Sequence, residues 1–113
     1  MSILNKLLPL LNETGLKVET GVFSEPASDE YLVLTPLTDS LDFYADDMPL
    51  AEIEEVRISL FTKENYISLR NQLTRLLLGA GFLITDRKYI GFETDTKYHY
   101  YVFDVLMEKE MEE

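Results

Sequence analysis

The chain has 113 residues with a single histidine, no cysteine and no tryptophan, and its 21 acids against 10 bases give a formal net charge of −11. That length supports one hydrophobic core, while the missing cysteine excludes disulfides, thiolate nucleophiles and Cys-ligated zinc. A lone His99 excludes multi-histidine metal sites, and the acidic balance repels phosphates, so free DNA or RNA is not expected as a direct ligand.

The opening Met1-Ser2-Ile3-Leu4-Asn5-Lys6 lacks the apolar run and small-residue cleavage site of a signal peptide. No stretch approaches the roughly 20 apolar residues that span a bilayer, so a soluble, cytoplasmic domain is expected. Ser2 can cap a helix over Ile3 to Thr14, where leucines 4, 7, 8, 10 and 11 form a broad apolar face. Pro9 predicts a kink in it, and Gly15 suits a left-handed stop. Leu16, Val18 and Val22 then suggest a short strand, followed by a polar connection from Phe23 to Glu30.

Tyr31 to Leu37 reads as a strand with Pro36 at its end or on an edge. Thr38 to Leu50, with Asp39, Asp42, Asp46 and Asp47 around Phe43 and Tyr44, reads as a long acidic loop or a loose hairpin. Ala51 to Thr62 is the clearest strand, since Val56, Ile58 and Leu60 alternate with Arg57, Ser59 and Phe61. Ile53 is out of phase with Val56, which predicts a bulge near Glu54 and Glu55. Asn65 to Ala80 is the strongest helix, with Tyr66, Leu69, Leu73, Leu76 and Leu77 on one side. Gly79 and Gly81 supply its stop.

Phe82 to Phe92 and Tyr98 to Met107 form two extended segments around Glu93–Lys97. In the second, His99, Tyr101, Phe103, Val105 and Met107 share one face, and Tyr98, Tyr100, Val102 and Asp104 the other. Both faces carry large apolar groups, so cover on both sides is expected, from a helix or from another subunit. Tyr98, Tyr100 and Val102 are the candidate subunit interface. Glu108 to Glu113 reads as a frayed acidic tail. The whole predicts one α+β domain over 1–113, a mostly antiparallel sheet of four to five strands with two main helices on one face.

Charge is distributed unevenly. Residues 1–55 hold twelve acids and two bases, whereas 56–107 hold five acids and seven bases. No basic residue lies between Lys17 and Arg57. The bland meaning is solubility; the sharper one is a molecule with an acidic pole, able to stack head to tail or to meet a basic partner. No P-loop, dinucleotide-binding glycine pattern, His-Glu-x-x-His or Gly-x-Ser-x-Gly occurs. Asp42, Asp46 and Asp47 do not have the spacing of an EF-hand loop, and His99 reads as a packed strand residue before a general base. An enzyme, a metal site and a cofactor are therefore not expected.

One long-range order goes beyond composition: Glu30-Tyr-Leu-Val-Leu-Thr-Pro-Leu-Thr-Asp-Ser, then Tyr44-Ala-Asp-Asp47, then Glu55-Val-Arg-Ile-Ser-Leu-Phe-Thr-Lys63, and late Gly91-Phe-Glu-Thr-Asp-Thr-Lys-Tyr-His-Tyr-Tyr-Val-Phe-Asp-Val105. Over roughly Leu16 to Glu108 this resembles the small head–tail joining, or tail-terminator (tail completion), proteins of tailed phages and prophages. Phe61 departs from their pattern, where Tyr is usual. The resemblance implies an α/β fold with helices packed on a sheet and a hexameric ring that caps the tail tube and receives the head. It implies partners in the tail tube protein and a head-completion or connector protein, with no cofactor, no membrane and no sequence-specific nucleic-acid binding. Residence would be the host cytoplasm during assembly and the head–tail junction of the virion. On this reading the acidic segment with Asp39, Asp42, Tyr44, Asp46 and Asp47 faces the ring lumen or a partner. The alternative is an acidic adaptor or inhibitor domain that binds a basic protein.

Overall fold

The computed structural model describes residues 3–20, 29–43 and 49–110, with the backbone alone for 38–43, 49–52 and 108–110. Helix α1 (Ile3–Asn12) buries Ile3, Leu7 and Leu11, one residue per turn, and leaves Pro9 on its solvent side. The helix runs on through Pro9, whose ring deprives the Asn5 carbonyl of its usual helical donor. It ends in tight turns in which the N–H groups of Glu13, Thr14 and Gly15 donate to the carbonyls of Leu10, Leu11 and Asn12. Gly15 takes φ +79°, the left-handed stop that its position predicts.

Strands β1 (Lys17–Thr20), β2 (Glu30–Phe43) and β3 (Pro49–Thr62) follow. Helix α2 (Tyr66–Gly79) comes next, then β4 (Leu83–Phe92) and β5 (His99–Glu110). Among the described residues the strands make one sheet of order β1-β2-β3-β5-β4, parallel only between β1 and β2. This is the α+β fold expected from the element order. Asn65 caps α2 with its side-chain oxygen, which accepts from the Ile67 and Ser68 N–H groups at 3.0 and 3.4 Å. Leu73 and Leu77 of α2 meet Ile3, Leu7 and Leu11 of α1 over Leu32, Leu34, Ile58, Leu60, Phe103 and Val105 of the sheet. Both helices therefore cover the same face, and each fully buried leucine contributes about 2 kcal/mol.

One expectation is narrowed and two change. Within Thr38 to Leu50, residues 38–43 and 49–50 follow the hairpin version of the two readings, since β2 and β3 are paired from Glu30↔Thr62 to Phe43↔Pro49, while residues 44–48 lie outside the described ones. Strands of 14 residues reach about 46 Å at roughly 3.3 Å per residue, which accounts for a molecule 53 Å long but only 27 Å wide. The bulge lies in β2 and not at Glu54 and Glu55. The ladder steps from Pro36↔Val56 to Thr38↔Glu55, with Leu37 as the extra residue, because Pro36 has no N–H to give the ladder. The β3–β5 register is unbroken, so Ile53 stays on the face of Glu55, Arg57 and Ser59. Finally, of the expected tail Glu108–Glu113, Glu108–Glu110 continue β5 against Ala51–Ile53, with Lys109 opposite Glu52, and residues 111–113 lie outside the described ones.

Candidate assembly surface

Strand β5 separates two groups of aromatic rings. Its residues alternate between the helix-covered face and the opposite face, as the sequence pattern predicts. On the opposite face Phe61 of β3 sits between Tyr31 of β2 and Tyr100 of β5. It stacks on both, at centroid distances of 4.7 and 4.4 Å. Tyr98 closes this ladder edge-on, 5.4 Å from Tyr31 and 6.3 Å from Phe61. The Lys63 ammonium lies 5.0 Å from the Tyr98 ring centroid.

Further along the same face Arg57 donates two hydrogen bonds to the Asp104 carboxylate, at 2.8 and 3.1 Å. That bond to Asp104 holds the guanidinium above its usual pKa range, although partial burial works the other way. Burial, assisted by Tyr98, Glu93 and Tyr100, pushes the Tyr31 phenol above its ordinary value of 10.

The candidate interface residues Tyr98, Tyr100 and Val102 all belong to this face. Tyr98 and Val102 are only 7% and 1% exposed, and Tyr100 is half-buried. Among the described residues Tyr98 packs with Tyr31, Val33 and Phe61, and no helix lies over this face: α1 and α2 both pack on the other.

Exposed apolar side chains include Leu37 of β2, Ile67 and Leu78 of α2 and four on the edge strand β4. Leu83, Tyr89, Ile90 and Phe92 are 58%, 41%, 47% and 46% exposed. Ile90 stands in a bulge, since the register with β5 passes from Tyr89↔Tyr101 to Gly91↔Tyr100 and leaves it unpaired. Tyr89 and Phe92 gather around His99 with Tyr66 of α2. Centroid distances are 4.8 Å for Tyr66–Tyr89, 5.4 Å for Tyr66–His99 and 4.8 Å for Phe92–His99. The Tyr89 hydroxyl and His99 Nδ1 share a hydrogen bond of 3.0 Å.

Basic groups stand on both faces of β4, Arg87 opposite Phe103 on the helix-covered face and Lys88 opposite Val102 on the other. Arg87 of β4 donates to the Thr74 hydroxyl of α2 at 2.9 Å, and Lys88 lies 3.8 Å from Asp86 with both side chains half exposed. An edge strand of ten residues without proline, bearing four exposed apolar side chains, is a surface suited to association. The pattern from Leu83 to Phe92 was legible as a strand. Its place at the border of the sheet was not, because β4 pairs only with a strand that follows it and nothing local says that the other side stays open.

Of the acidic candidates, Asp39 and Asp42 fall in β2, opposite Glu54 and Ala51. Tyr44, Asp46 and Asp47 lie outside the described residues. Among the described residues no three acids or histidines gather as a metal site, and no helix is long and apolar enough to cross a membrane. The sequence matches no protein-family model and no curated protein.

Proposed function

We propose that this chain is a virion-assembly protein at the head–tail joint of a tailed phage or prophage. In detail it is a tail terminator, whose subunits form a ring that caps the tail tube and receives the head. One observation carries this reading. Three of the four quoted motifs fall in order on three adjacent strands, with Glu30–Ser40 on β2, Glu55–Thr62 on β3 and His99–Val105 on β5, and the Tyr44–Asp47 motif lies outside the described residues. Helices pack on one face of that sheet, as in the architecture the resemblance implies. The exposed β4 edge supports a protein that works through contacts, with no reaction to catalyse.

In such a ring the acidic hairpin would face the passage and repel DNA phosphates. Replacing Asp42, Asp46 and Asp47 by Asn would then slow genome ejection without blocking assembly. Electron microscopy of lysates from the induced parent element, with this chain deleted, tests the reading directly. Overlong tails, or normal tails and filled heads left unjoined, are the expected result. Infectious particles in normal yield would discard it. They would favour instead an acidic adaptor that binds a basic protein, the reading to which the base-free stretch between Lys17 and Arg57 also lends itself.

A further inference from the structure

We infer that the β4 edge and the adjoining surface of α2 receive the acidic β2–β3 hairpin of a second copy of this chain, in a head-to-tail contact. The inference deepens the ring reading and rests on it for its biological setting, but its argument is one of charge and position. β4 carries Arg87 and Lys88, and α2 carries Arg70 one turn from the Thr74 that Arg87 contacts, against a single acid of that stretch, Asp86. From Thr38 to Glu54 the hairpin carries six acids and no base. β4 meets the base of the hairpin where the Thr85 hydroxyl donates to the Glu55 carboxylate at 2.9 Å. The hairpin runs on beyond the end of β4, which pairs with β5 only as far as Leu83↔Leu106.

Like cannot meet like here. Two hairpins brought together would set acids against acids, and two β4 edges would set Arg87 and Lys88 against the same residues of the partner. Only the crossed arrangement places opposite charges across the contact. It also covers the exposed Leu83, Tyr89, Ile90 and Phe92. A contact between two different surfaces is heterologous, and repeated by one rotation it closes a ring.

Sedimentation velocity of the purified full chain at low and high salt, over a range of concentrations, tests this. The expected result is concentration-dependent association that weakens as salt rises, since the charged contact is screened. The paired change Arg87→Glu with Lys88→Glu, and separately Asp39→Lys with Asp42→Lys, should each raise the dissociation constant about tenfold or more. Combining all four in one chain should restore association, because the charges are exchanged rather than removed. A wild-type chain that stays monomeric at low salt and high concentration would overturn the proposal, as would variants that associate like wild type. Neither result would touch the head–tail reading, which stands or falls on the deletion phenotype.

Discussion

Tyr98, Tyr100 and Val102 alternate along β5 with His99, Tyr101 and Phe103, so neighbours on one strand belong to two aromatic groups with different fates. The ladder of Tyr31, Phe61, Tyr98 and Tyr100 spans the interior strands β2, β3 and β5, where Phe61 has a ring on either side. Among the described residues no helix overlies them. The group around His99 reaches the border strand β4, which has no described neighbour beyond it, and Tyr89 and Phe92 stay more than two-fifths exposed. Residue type is nearly the same in both. Position in the strand order decides whether a ring is sealed into the fold or left for a partner.

That contrast can be broken from either side, and the largest effect belongs to the ladder. Phe61→Ala removes the central ring and should cost about 3 kcal/mol, read as a lower denaturant midpoint with an unchanged slope. A loss under about 1 kcal/mol would mean that the ladder does not hold the sheet. Arg57→Ala comes next. It leaves the Asp104 carboxylate, 11% exposed, without the partner that holds it; because the Arg57 side chain is 35% exposed, solvent screening limits the cost to about 1–2 kcal/mol.

A smaller effect is confined to alkaline solution. The Tyr31 phenol titrates above 10 in the folded chain, whereas in the unfolded chain it titrates at its ordinary value. Stability is therefore complete below about pH 10 and falls as pH climbs through the folded value, because the unfolded state gives up the proton first. In Tyr31→Phe this part of the alkaline decline should vanish, and thermal midpoints measured between about pH 9 and 11 will show a shallower slope. The least effect on stability is expected at the other group. Phe92→Ser should leave the denaturant midpoint within about 0.5 kcal/mol of wild type while weakening self-association. A folding defect as large as that of Phe61→Ala would erase the distinction between the two regions.

Much of this architecture is written locally. Asn65 ahead of an amphipathic run marks the start of α2, Gly15 marks the end of the first helical segment, and the alternation from Val56 to Phe61 in β3 and from His99 to Met107 in β5 assigns those residues to their faces. What the sequence conceals is the result of long-range pairing. Pro36 was visible as a residue that breaks ladders, yet the bulge it causes in β2 is known only from the register against Val56 and Glu55. Likewise the apolar residues of β5 invited a covering subunit at Tyr98, Tyr100 and Val102, and the burial of Tyr98 and Val102 within this chain depends on neighbours distant in sequence. Leu83, Tyr89, Ile90 and Phe92 were in plain sight, but their exposure follows from β4 being last in the sheet.

Amide hydrogen exchange of the full chain, compared between dilute and concentrated low-salt solutions, tests the central contrast most directly. Association through the β4 edge predicts slower exchange over Leu83–Phe92 and over the hairpin strands near Thr38–Phe43, with no change over Tyr98–Val102 or in β1. New protection over Tyr98–Val102 with none on β4 would contradict it, and would return the assembly surface to the ladder face.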